Sequence, residues 1–151
     1  MARFHYSLQN VLDIKLKMET QAKQEFSARK MELDEEEEKL EALQQRKQSF
    51  EEEAKRLRMG TLSVLELEEN QNALAVMDDY IARQRENVQR ARVRLDESRE
   101  KLTEVMKERK TQETLKEKAF EEFLQEENRQ ESKVVDELTS YTYSQKRQVN
   151  E

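Results

Sequence analysis

Leu57-Arg58-Met59-Gly60-Thr61-Leu62-Ser63-Val64-Leu65-Glu66-Leu67 decides the fold. Gly60 is the only glycine among 151 residues, and there is no proline. A chain without another breaker has little means of making many turns. Ser63 and Glu66 have the spacing of a capping box, so a second helix starts near Thr61 or Ser63. Outward from this point the apolar residues recur every third and fourth position. Toward the N-terminus they are Leu57, Ala54, Phe50, Leu43, Leu40, Leu33, Phe26 and Ala22. Toward the C-terminus they are Leu67, Leu74, Met77, Ile81, Val88, Ala91, Leu95, Leu102 and Val105. Arg29, Glu36 and Lys47 interrupt the first row, and Asn70, Gln84 and Ser98 the second. Such rows are the seams of helices that wind round each other.

The expected fold is therefore all-α, with two long helices in an antiparallel coiled-coil hairpin and its turn near Gly60. One hairpin should span residues 1–151. Helix one covers about 7–58 with Ser7 as its cap, the turn covers 59–62, helix two covers about 63–138, and a tail frays over 139–151. A connection this short forces antiparallel neighbours. Facing residues should then have numbers that add to about 124, which sets Leu57 on Leu67, Phe50 on Leu74, Leu43 on Ile81 and Leu33 on Ala91. Charge agrees with this alignment. The acidic run from Asp34 to Glu38 falls opposite Arg83, Arg85, Arg90 and Arg92, and flanking charges of opposite sign fix orientation and register. Toward the chain ends the alignment weakens. It sets Glu19 against Val105 and Lys15 against Arg109, and like charges there loosen the pair.

Composition removes several classes of function. The chain is 41% charged and 34% hydrophobic with no tryptophan, too polar for an ordinary compact core of this length. The retained periodicity argues against disorder, despite that composition. The net charge of −6 is a small difference between 28 basic and 34 acidic residues, and it favours neither nucleic acid nor membrane. The basic run at 83–94 has its counter-charge inside the hairpin. No apolar stretch approaches a membrane span or a signal-peptide core, so a soluble, cytoplasmic protein is expected. With no cysteine and one histidine, His5, no metal site is expected, and no cofactor either. Carboxylates on open helical arms lack a cleft to tune them, so no catalytic residue is assigned.

Helix two outruns helix one. Phe120, Phe123 and Leu124, and further on Val134, Val135 and Leu138, extend the apolar pattern where no opposite arm is expected. An isolated helix bearing such residues is marginal in water and calls for a partner.

Both ends resemble the flagellar export protein family FliJ. The stretch Phe4-His5-Tyr6-Ser7-Leu8-Gln9-Asn10-Val11-Leu12-Asp13-Ile14-Lys15 is similar to the family's opening, an aromatic–leucine segment leading into a charged helix. The stretch from Phe123 to Leu138 is similar to its closing segment, where a hydrophobic pair precedes an acidic–basic run ending in Asp136-Glu137. The resemblance implies a non-enzymatic coiled coil of the cytoplasmic type III export machine, at the cytoplasmic face of the flagellar basal body and peripheral to the membrane. It implies insertion like a central stalk into the hexameric ring of the export ATPase FliI, contact with the export gate FlhA, and dealings with export chaperones. On that basis Phe4, Leu8, Phe123, Leu124, Glu127, Arg129, Lys133, Asp136 and Glu137 are expected to contact the ATPase. Leu43, Phe50, Met77 and Tyr80 are expected to contact the gate, although a core role competes for them. A generic coiled-coil scaffold, or a chaperone or adaptor without effect on the ATPase, is the alternative.

Overall fold

The computed structural model describes residues 2–150 and consists of two helices, α1 (Gln9–Met59) and α2 (Val64–Val149). Their mutual contacts are those of an antiparallel hairpin, with the turn at residues 60–63. Ser63 caps α2 as its spacing predicts: its carbonyl accepts the Leu67 N–H at 3.1 Å, and its hydroxyl accepts the Glu66 N–H at 3.5 Å. Gly60 has no positive φ, and a Cβ added there would meet only the Arg56 carbonyl at 3.9 Å. The turn therefore uses the low helix propensity of glycine rather than a conformation closed to other residues.

Two expected boundaries move. Leu8, not Ser7, precedes α1, because the Leu8 carbonyl accepts the first helical bond, from the Leu12 N–H at 3.1 Å. The preceding residues enter through a turn in which the Gln9 N–H bonds the Tyr6 carbonyl at 3.1 Å. At the other end α2 runs to Val149, past the expected 138. No glycine or proline stops it, and the Thr139 and Thr142 hydroxyls donate to the Val135 and Leu138 carbonyls one turn back, at 2.8 and 2.9 Å.

The chain divides into two compact units, Thr20–Glu104 around the turn and Met1–Glu19 with Val105–Glu151 around the termini. In the turn unit the predicted seam is the core. Ala22, Ala54, Met77, Ile81, Val88, Ala91 and Leu95 are buried. The polar interruptions are paired rather than stranded, as low-dielectric burial demands. Asn70 donates to the Phe50 carbonyl at 3.0 Å, and Ser98 to the Leu95 carbonyl at 2.7 Å. Gln84 donates both to the Glu36 carbonyl, at 2.8 Å, and to the Glu36 carboxylate. Two of the six seam interruptions thus face and satisfy each other.

The register also holds. Lys47 meets Asp78 at 2.8 Å, Lys101 meets Glu25 at 3.3 Å, and the Arg99 guanidinium lies 5.8 Å from the centre of the Phe26 ring. These pairs have numbers adding to 125, 126 and 125. The acidic and basic runs engage through Glu37 and Arg92 at 3.4 Å. The Asp78 carboxylate raises the pKa of Lys47 above its ordinary value, chiefly by accepting its hydrogen bond. Exposed pairs of this kind fix alignment more than they add stability.

Candidate interaction surface

The terminal unit is held differently. Its buried apolar side chains are Tyr6, Leu12 and Val105. Polar pairs also join α1 and α2 here. Lys15 bonds Glu108 at 2.7 Å. Arg109 forks onto Glu19, with Nε to Oε2 at 2.6 Å and Nη2 to Oε1 at 3.4 Å, and donates through Nη1 to Glu113 at 2.9 Å. The Glu19 and Arg109 side chains are 8% and 17% exposed. Hydrogen bonds to Glu19 and then Glu113 push the Arg109 pKa up, so the guanidinium keeps its charge against burial.

This corrects the expected repulsion between Lys15 and Arg109. Each has a carboxylate of its own, because the consecutive α2 residues Glu108 and Arg109 meet Lys15 and Glu19, which lie one turn apart on α1. Glu19 faces this guanidinium. Periodicity marked position 109 as a loosening charge. Its partners lay one turn away on each helix, at a spacing that a simple sum of residue numbers does not resolve. Arg109→Gln should remove the fork onto Glu19 and weaken the pairing of the terminal unit. Hydrogen exchange of amides 9–19 should then accelerate while amides 74–98 keep their protection, and uniform acceleration of both would contradict a local clasp.

Residues 2–8 form a non-helical strap along α2. The Tyr6 hydroxyl donates to Gln112 Oε1 at 3.1 Å, and Tyr6 is only 7% exposed. The Phe4 ring lies 5.1 Å from Phe120 and 5.4 Å from Phe123, edge-on to the first and tilted to the second, while Phe120 and Phe123 are 6.4 Å apart. The i, i+3 spacing of the two α2 phenylalanines puts both on one face, where a third ring can reach both. The expected overhang therefore starts later than the sequence suggested: Phe120 and Phe123 have a neighbour. Tyr6 and Gln112 were not among the expected site residues, since a buried tyrosine beside a helix start carries no periodic signal.

Beyond Phe123 the helix stands open. Leu124, Val134, Val135, Leu138 and Tyr141 are 44%, 54%, 59%, 60% and 63% exposed. Arg129 pairs along its own helix with Glu126 at 2.9 Å, Glu127 is half-buried, and Lys133, Asp136 and Glu137 are exposed. Phe4, Phe123, Leu124 and this charged stretch thus lie in the terminal unit together with Leu8, which is 43% exposed. The expected gate residues lie in the turn unit. There Leu43 and Phe50 are half-buried, Met77 is sunk in the seam, and Tyr80 is 47% exposed. Among the described residues no acidic, histidine or cysteine cluster could hold a metal ion, and no helix is long and apolar enough to cross a membrane.

No curated protein matches the chain. Among solved structures, a Chlamydia trachomatis protein described as a YscO homologue is similar, with a TM-score of 0.78 and 26% identity over 97% of this chain and 99% of that one. A family model described as flagellar FliJ protein matches residues 4–148. A match from the strap almost to the end of α2 covers both units and the turn between the helices, and the chain belongs to the FliJ family of flagellar proteins.

Proposed function

We propose that this protein is a non-enzymatic component of the bacterial flagellar type III export apparatus, a stalk-like coiled coil that inserts into the FliI ATPase ring and promotes its assembly and activity. The family match supports the setting, and the likeness to a protein described as a YscO homologue supports the same class of machine. The observation that carries the finer reading is the open length of α2 after Phe123. A helix bearing Leu124, Val134, Val135 and Leu138 without cover is made to be covered by another protein. Phe4, Leu8, Phe123 and Leu124 supply the apolar part of the ATPase contact. Glu127, Arg129, Lys133, Asp136 and Glu137 supply a mixed-charge flank that sets orientation.

The contact with the gate FlhA falls to the turn unit, on Tyr80 with Leu43 and Phe50. Met77 shapes that face from below, since it is 5% exposed. Location at the cytoplasmic face of the basal body, without a membrane span of its own, follows from these partners. Export chaperones are further partners in this reading. The experiment is ATP turnover by the cognate ATPase with and without the chain. Stimulation supports the stalk. Binding to the ATPase or to chaperones without any change in turnover would favour the adaptor reading.

A further inference from the structure

We infer that Phe120 and Phe123 form a seat for one aromatic side chain of a partner segment, and that the chain's own Phe4 is a displaceable cover for it. Three observations lead here. The seat lies on one element: the two rings project from one face of a continuous helix, 6.4 Å apart, and Phe4 meets both at 5.1 and 5.4 Å, within the range of favourable ring pairs. The seat is only partly used, since Phe120 stays 43% exposed with Phe4 in place.

The cover is also lightly held. Residues 2–5 are not helical, and among the described residues the strap's links to α2 are side-chain ones, the Phe4 ring contacts and the bond from Tyr6 to Gln112. The backbone bond nearby runs from Gln9 to Tyr6 within the strap's own turn. A cover without a backbone ladder can lift while α1 and α2 stay paired below it. The occupant is fixed by what already sits there: an aromatic ring on a non-helical segment. A partner segment of that chemistry takes the place of Phe4, and the released Phe4 becomes available to the same partner.

This deepens the proposed ATPase contact but is testable without the ATPase. The probe is a synthetic peptide of the strap's own sequence, Ala2 to Gln9, titrated into the full chain and followed by nuclear magnetic resonance. In the natural chain the tethered Phe4 competes at a local concentration of about millimolar order, typical of a short flexible link. Phe4→Ala removes that competitor, and the peptide should bind at least about tenfold more tightly to this variant. Tyr6→Phe, which deletes only the hydroxyl bonded to Gln112, should give a gain of about two- to tenfold. Adding Phe120→Ala to Phe4→Ala should abolish binding. Equal affinity for the natural and Phe4→Ala chains would overturn the inference. So would no binding to a Phe4→Ala chain whose helical circular dichroism is unchanged. Either failure leaves the export reading standing, because no export protein takes part. An absence of ATPase stimulation alongside successful peptide binding would fault that reading alone.

Discussion

Ile81→Ala should destabilise the hairpin by about 2–4 kcal/mol, the usual loss for a buried isoleucine cut to alanine. Ile81 is 5% exposed, in a seam whose other buried members are mostly small or singly branched: Ala22, Ala54, Ala91 and Val88. Few side chains are large enough to move into the space. Its neighbours along the seam, Met77 and Gln84, are fixed by packing and by the bonds to Glu36. For a chain of this size the thermal midpoint should fall by about 5–15 °C. Arg83→Ala, two residues on and exposed, should change stability by less than about 0.5 kcal/mol. Helical circular dichroism on heating separates the two. Equal midpoints for both variants would show that the seam is not the core.

Phe123→Ala combined with Leu124→Ala should abolish stimulation of the export ATPase while leaving the hairpin folded. Phe123 is half of the seat under Phe4, and Leu124 is the first open apolar side chain beyond it. Truncating two central apolar anchors of a contact costs about 2 kcal/mol or more each where they are hot spots. Binding should weaken by about three orders of magnitude on that basis. Folding should persist because the turn unit, with its seam and cross-helix bonds, contains neither residue. Ring stimulation unchanged in the double variant would remove these residues from the contact and shift attention to the charged stretch from Glu127 to Glu137.

Much of this molecule is legible in its sequence because a coiled coil is a periodic object. The rows from Ala22 to Leu57 and from Leu67 to Val105 name the core, since each helix turn repeats the same geometry. The register follows from a short turn and two complementary charge runs, and Lys47 on Asp78 falls where it should. Interrupting residues are harder to read. Nothing in periodicity says that Gln84 will satisfy Glu36 while Asn70 takes a backbone carbonyl; that depends on side-chain reach across the seam.

The terminal unit was the least legible part. There the apolar period gives way to ionic pairing, and a charge at a seam position reads as repulsion until its partner one turn away is seen. Arg109 between Glu19 and Glu113 is that case. The strap was invisible for another reason. A seven-residue non-helical segment has no period, and its value lies in three rings brought together across more than a hundred residues of chain. The end of α2 was misplaced because polar composition resembles fraying, whereas a helix stops only where something stops it. No breaker follows Leu138.

The fold-back of one chain on itself places the strap against α2 and leaves the end of α2 open, and a distance measurement tests it most directly. Because the protein has no cysteine, Ser49→Cys and Ala75→Cys give spin labels at two exposed positions and nowhere else. Within one hairpin the labels should show a single short distance of about 10–25 Å, given helix axes about 8–10 Å apart. That distance should survive dilution with excess unlabelled protein. A short distance that disappears on dilution, or no short distance at all, would mean that the helices pair between chains or in another register, and would contradict the account.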